Sequence, residues 1–296
     1  MAGKTGIVTD GGWSFHEPPE ARYRHYRHNG STTVDGHDGP LEILSVTQAL
    51  GIIDKSGPLQ HYAAKMTLEG VCATLRGFGC EKDANGDLPT ALDVEDICLV
   101  AGDPRYLGDT LKRNGRAFYQ RTADAASRGT AIHTVLEDWA ERGKLPVADS
   151  HPMAHRGYVR GLAAFLITER PKFLENEMIV GSVTHGVAGA RDTVLVLNDA
   201  TRGRCLVDLK TSKGVYPSSH FRQLTAYDRL GVESGQQPTD AQGILRVGED
   251  GSYELRWLQD FGFSTDFWWR AFLEALSTQR SERAITKQSP KVGYRR

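Results

Sequence analysis

The stretch Leu206-Val207-Asp208-Leu209-Lys210-Thr211, preceded by Cys205, decides how this 296-residue chain is read. On a strand, successive side chains alternate faces, so Cys205, Val207 and Leu209 take one side and Asp208 and Lys210 the other. A carboxylate and an ammonium then stand side by side at the end of an apolar strand. Alone, an Asp-x-Lys is a common ion pair at a strand end. Upstream, Val187-Ala188-Gly189-Ala190-Arg191-Asp192 leads into Val194 and Val196 and places a second carboxylate on the adjoining strand, where Gly189 permits close backbone approach. The turn Asn198–Gly203 between the two strands predicts antiparallel neighbours. Two carboxylates on adjacent strands repel unless something positive lies between them. A divalent cation does that, and hard oxygen donors select magnesium or manganese over zinc.

Working outward, the pattern before Asp192 is helical. Ile132, Val135, Leu136 and Trp139 form an apolar stripe within a helix predicted from about Tyr119 to Arg142, and this places His133 beside the stripe. A second helix is expected from about Pro152 to Glu169. After Pro171 come strands at Phe173–Val180, Val183–Val187, Ala190–Leu197 and Cys205–Lys210. A helix over about Ser218–Leu230 sets Gln223 and Tyr227 four apart on one face, which alone means no more than an amphipathic helix. Strands at Gly243–Val247 and Tyr253–Leu258 flank the turn Glu249-Asp250-Gly251, and a last amphipathic helix carries Phe267, Trp268, Phe272, Leu273 and Leu276. This order predicts an α/β (α+β) fold, one mixed sheet with helices against it.

The N-terminal part reads differently. Residues 1–40 are expected to be a loose arm followed by a hairpin around Asn29-Gly30. Residues 41–118 are expected to be helical: Ser45 reads as an N-cap, Pro58 opens a helix, and another lies near Ala91–Val100. The core is drawn as 119–276 and a basic tail as 277–296.

Composition excludes several classes. With 39% hydrophobic and 25% charged residues and a formal net charge of -1, the chain has the make-up of a globular protein without a global basic field. Its apolar runs are too short for a membrane span, and a cytoplasmic location is expected, that of the host if the chain is phage-encoded. Four cysteines, Cys72, Cys80, Cys98 and Cys205, lack the CxxC spacing of a zinc ribbon and read as buried thiols. Gly3-Lys4-Thr5 has no preceding strand or glycine to make a phosphate loop, and Asp83–Asp87 lacks the glycine and glutamate of a calcium loop. Charge is concentrated locally instead. Residues 103–128 hold Arg105, Lys112, Arg113, Arg116, Arg121 and Arg128 against three acidic residues, and residues 277–296 hold six basic residues against Glu282.

Five elements in order give these residues company: Gly129 with His133, Glu175 or Glu177, Gly189 with Asp192, Asp208 with Lys210, and Gln223 with Tyr227. Together they resemble the PD-(D/E)xK nuclease superfamily, in particular its RecB-type branch with the CRISPR-associated and phage recombination exonucleases. The match runs from about Arg128 to Leu230, a third of the chain. Leu44–Leu50 also looks like the opening of phage-encoded proteins of this type.

The resemblance implies a restriction-endonuclease-like core, with residues 41–118 forming a wall of a DNA channel. It implies a magnesium- or manganese-dependent DNA exonuclease acting in phage or bacterial recombination, repair or DNA processing. The alternatives are a structure-specific endonuclease on the same core and a non-catalytic DNA-binding scaffold. Metal ligands would be His133, Asp192, Asp208 and the main-chain carbonyl of Leu209. Lys210 would act with Asp192 and Asp208 in catalysis, Glu177 would hold water, and Gln223 and Tyr227 would support the site or position substrate. Arg113, Arg116, Arg121 and Arg128 are the candidates for guiding DNA, with a free end or unpaired region and with recombination or replication proteins as partners. Branch members that hold an iron-sulfur cluster use cysteines after the core; nothing follows Cys205, so no cluster is expected.

Overall fold

The computed structural model describes residues 43–53 and 118–288, together with three short N-terminal strands. Strands β1 (Thr5–Thr9), β2 (Trp13–His16) and β3 (Arg27–His28) form a small antiparallel sheet in the order β1-β2-β3. The expected loose arm therefore contains strands. The described partner of β3 is β2, with Phe15 opposite His28, while the residues beyond Asn29-Gly30 that the hairpin reading needed lie outside the described ones.

The main body is mixed α/β, a central six-stranded mixed sheet flanked by helices. Strand β4 (Leu44–Ser45) opens it and leads into α1 (Val46–Ala49). Ser45 closes a capping box there: its hydroxyl accepts from the Gln48 N–H, and the Gln48 side chain accepts from the Ser45 N–H, both at 3.0 Å. Then follow α2 (Phe118–Arg142), α3 (Met153–Glu169), β5 (Lys172–Ser182), β6 (Val187–Val196) and β7 (Cys205–Lys210). Helix α4 (Pro217–Glu233), β8 (Ala241–Val247), β9 (Tyr253–Trp257) and α5 (Thr265–Gln288) complete the described residues.

Three sequence expectations move. Val183–Val187 is not a separate strand, because residues 183–186 are the turn that returns β5 into β6. Residues 43–53 belong with the sheet, since β4 pairs in parallel with β6. The region drawn as a basic tail from residue 277 begins as helix, α5 running on to Gln288. The other readings for residues 54–117, including the helices at Pro58 and Ala91, fall outside the described residues.

The chain divides into two compact units, residues 1–53 with 131–296, and residues 54–130. In the first unit, β6 organises the sheet. β5 runs antiparallel to it over its whole length, from Lys172 opposite Val196 to Ser182 opposite Val187. The other edge of β6 is shared: β4 takes its beginning at Val187 and Ala188, and β7 takes its end, antiparallel, from Thr193 to Leu195. β7 and β8 are parallel, with α4 as the crossover between them, and β9 closes the order antiparallel to β8.

Apolar residues cover both faces. Leu206 and Ile244 meet Phe221, Leu224 and Leu230 of α4 and Phe272 and Leu276 of α5 on one face. Cys205, Val207, Leu209 and Leu245 meet Ile132, Val135 and Leu136 of α2 and Leu162 and Phe165 of α3 on the other. The alternation read from the sequence thus divides β7 between two cores. Among the described residues no helix is long and apolar enough to cross a membrane.

Candidate metal centre

The site lies where β6 and β7 part. Their antiparallel ladder pairs Leu195 with Cys205, Val194 with Leu206 and Thr193 with Val207, and one further step would set Asp192 opposite Asp208. The ladder stops before that step. Across the fork, the Leu209 N–H instead donates to Asp192 Oδ2 at 2.8 Å.

Alternation along β6 is interrupted around Asp192, because Arg191 and Val194 both lie on the α4 side. A Cβ at Gly189 would stand 2.5 Å from the Tyr227 ring, and one at Gly231 would stand 2.4 Å from Arg191 Nη1, so positions 189 and 191 face α4. Asp192, one residue on, turns to the opposite face, where α2 brings His133. The two meet, His133 Nδ1 lying 3.5 Å from Asp192 Oδ2. The other ring nitrogen, Nε2, donates to the Leu209 carbonyl at 3.0 Å and fixes the ring against the end of β7. In the neutral ring this leaves the Nδ1 lone pair directed at the carboxylates, and in the protonated ring an Nδ1–H faces them.

Glu177 joins them, with Oε1 3.8 Å from His133 Nδ1. Sequence alone left Glu175 and Glu177 as alternatives, and the structure gives them different surroundings. Met178 and Val180 pack into the α4 face while Ile179 does not, and Glu177 has a left-handed φ of 48°. The usual alternation is broken there, so Glu177 departs from the face that Glu175 occupies. Glu175 accepts from Arg191 on one oxygen and Arg204 on the other. Arg191 is 1% exposed, and burial draws its pKa below the ordinary guanidinium value. Glu175 is thus the counter-ion of a buried arginine.

His133, Glu177 and Asp192 each offer one donor atom within 4.8 Å of the others, and this group could hold a metal ion. The electrostatics fit a cation. Burial, and then the neighbouring Asp208, push the Asp192 carboxyl up to about 7, with Glu177 adding to the rise. For His133, burial opposes the charged form, but Asp192 and Glu177 outweigh it and the pKa is raised. Two carboxylates and an imidazole, with an excess of negative charge, are donors suited to a hard or borderline divalent ion.

Asp208 is 1% exposed, and its Oδ2 lies 2.5 Å from Lys210 Nζ. It acts on Asp192 through its charge and stands outside the group of three. The Leu209 carbonyl accepts from His133, using one of its two lone pairs. Gln223 Nε2 donates to the Tyr227 hydroxyl at 3.1 Å, and the Tyr227 ring, 3% exposed, fills the space that Gly189 leaves. Tyr227 is therefore a core residue, joined to β6 through a glycine.

Arg113 and Arg116 lie outside the described residues, as does the Arg121 side chain. Arg128 is a half-buried residue of α2 in the second unit. Cys205 is a buried free thiol, its pKa pushed up to about 11 by burial, while Cys72, Cys80 and Cys98 are outside the described residues. Sequence reasoning passed over Arg246, which stands beside Lys210 in the parallel register of β7 and β8.

No family model matches the chain, and no curated protein does. Among solved structures, one titled "Crystal structure of SSO0001" matches at 15% identity, covering 53% of this chain and 72% of that chain, with a TM-score of 0.27. A likeness that distant carries no argument about function.

Proposed function

We propose that this chain is a metal-dependent deoxyribonuclease of the PD-(D/E)xK kind, an exonuclease on a restriction-endonuclease-like core that uses magnesium or manganese. One observation carries the reading: His133, Glu177 and Asp192 converge at the fork of β6 and β7, with the Asp208–Lys210 pair on the adjoining strand. Residues singled out from five separate elements by their order in the sequence include all three of that group.

A divalent ion held by His133 Nδ1, Glu177 and Asp192, with Asp208 alongside, would supply Lewis acidity to a phosphoryl oxygen and lower the pKa of water. The protein's own groups do the rest. His133, tied by Nε2 to Leu209, presents Nδ1 in a fixed direction. Asp208 holds the Lys210 ammonium at the strand end, where a compact positive charge offsets the negative charge that builds on a phosphate under attack. Gln223 and Tyr227 keep β6 and α4 in register behind Asp192.

The test uses end-labelled linear and closed circular DNA, single- and double-stranded, with manganese, magnesium or chelator, on the wild type and Asp208→Ala. Metal-dependent loss of linear DNA by the wild type, absent from the variant, is the expected result, and the label reports polarity. Cleavage of closed circles would replace the exonuclease by an endonuclease. No cleavage under any condition, with DNA binding equal in both proteins, would overturn the enzymatic reading in favour of a scaffold.

A further inference from the structure

Beyond Lys210 the chain passes through residues 211–216 before α4 begins at Pro217, and this short loop is fastened at several points. Ser212 Oγ donates to the Gly214 carbonyl at 2.7 Å. The Tyr216 N–H donates to His220 Nδ1 at 3.2 Å, and the Tyr216 ring meets the His220 ring edge-on at 5.5 Å between centroids. His220 is buried, whereas Tyr216 is 52% exposed. An aromatic side chain has thus been set in one orientation with much of its surface in water.

Arg246 holds the loop from the next strand. It pairs with Lys210 across the parallel β7–β8 ladder, as Ile244 pairs with Asp208, so its side chain leaves on the same face as that of Lys210. Its Nε donates to the Ser212 carbonyl at 3.0 Å. Its carboxylate neighbour Glu254 is 4.0 Å away from Nη1 and is already bonded to Arg256. The Arg246 side chain is one-fifth exposed beside Lys210, and Lys213 stands exposed in the same loop. A fixed, exposed ring and a forked cation on the anchor of one loop match the two repeating parts of an unpaired nucleic-acid strand, the base and the phosphate.

We infer that the loop 211–216 with Arg246 is a subsite for an unpaired strand of the DNA substrate: Tyr216 stacks on a base and Arg246 holds an adjacent phosphate. This rests on the nuclease reading and deepens it, because it commits the site to a substrate with single-stranded character next to the bond that is cut. Inside a duplex the bases are stacked on each other and offer Tyr216 no free face.

Binding of a fluorescein-labelled oligothymidylate and of a blunt duplex is measured with calcium in place of manganese. The proteins are the wild type, Tyr216→Phe, Tyr216→Ala, Arg246→Lys and Arg246→Gln. Tyr216→Ala should weaken single-strand binding about tenfold and leave duplex binding unchanged, and Tyr216→Phe should restore it. Arg246→Gln should reduce the slope of log Kd against log salt by about 1, and Arg246→Lys should keep the slope. A role for Arg246 confined to anchoring Ser212 would lower thermal stability without moving that slope. Equal single-strand binding by Tyr216→Ala and the wild type, or an unchanged slope in Arg246→Gln, would overturn the subsite. Manganese-dependent cleavage by the wild type is run in parallel. Cleavage with unaltered binding by the variants overturns this inference alone, whereas a wild type that neither binds nor cleaves overturns the nuclease reading with it.

Discussion

Glu175 sits between the guanidiniums of Arg191 and Arg204, and the first of these is fully enclosed by the sheet and Gly231. Removing one partner of such a pair leaves a charge in low dielectric without compensation, which costs about 3–5 kcal/mol. Glu175→Gln should therefore lower the denaturant midpoint sharply, and the loss should fall when Arg191→Met is added, because the charge that required Glu175 has gone. A denaturation series on the two single variants and the double variant checks this, and simple additivity would refute the pairing. Glu177, two residues on, should behave oppositely: Glu177→Gln should cost little stability and should reduce manganese-induced stabilisation. The difference between these glutamates was not legible in the sequence. Strand alternation assigns both to one face, and the left-handed φ at Glu177 that separates them belongs to a residue type with no special preference for it. Asp192, Asp208, Lys210 and His133 were legible because their order along the chain, rather than their individual surroundings, singled them out.

Two glycines set how closely elements approach. A Cβ at Gly157 of α3 would lie 1.7 Å from the Glu249 carbonyl oxygen in the turn between β8 and β9, and one at Gly161 would lie 2.4 Å from that of Ser252. These obstacles are backbone, so helix and turn must separate if either glycine gains a side chain. Gly157→Ala should cost about 1–3 kcal/mol or more, despite the better helix propensity of alanine, as read from a thermal melt. At Gly189 the obstacle is the Tyr227 ring at 2.5 Å and Val46 at 3.2 Å. Here a side chain can give way, so Gly189→Ala combined with Tyr227→Leu should cost less than the sum of the two changes. Element positions were largely readable from periodicity: β7 appears at the expected Cys205–Lys210, and α2 begins one residue before its expected start. Val183–Val187 was misread because its two valines flank a tight turn through Thr184, His185 and Gly186, where Gly186 with its φ of 53° is the feature that ends the strand.

At the scale of the whole molecule, strand order was the least legible property. A parallel neighbour such as β8 is reached only through a crossover helix, and local sequence does not say beside which strand it will land, so Arg246 went unnoticed. The same assembly has a cost that pH should expose. Folding brings Asp192 next to Asp208 and buries it, lifting its pKa from about 3.9 in an unfolded chain to about 7. Between those values the folded state holds a proton that the unfolded state has released, so this group's contribution to stability falls as pH rises from about 4 to 7. His133 acts in the same direction: its raised pKa gives stability that is present at acid pH and lost as pH rises through the folded value. The metal-free protein should accordingly lose stability between pH 5 and pH 8 through these two groups, and manganese at pH 8 should restore it by binding the folded state. Asp192→Asn separates the effects. The amide oxygen can still accept from the Leu209 N–H while the charge is gone, so at pH 8 without metal the variant should melt above the wild type, by about 2–4 °C for each kcal/mol recovered. At pH 4.5 the two should melt together, and the variant should gain little from manganese. Differential scanning calorimetry at both pH values, with manganese and with chelator, provides the comparison. A metal-free Asp192→Asn that melts below the wild type at pH 8 would mean that this carboxylate stabilises the fold by itself, and a cation would no longer be needed to explain why two buried acids face each other across the fork.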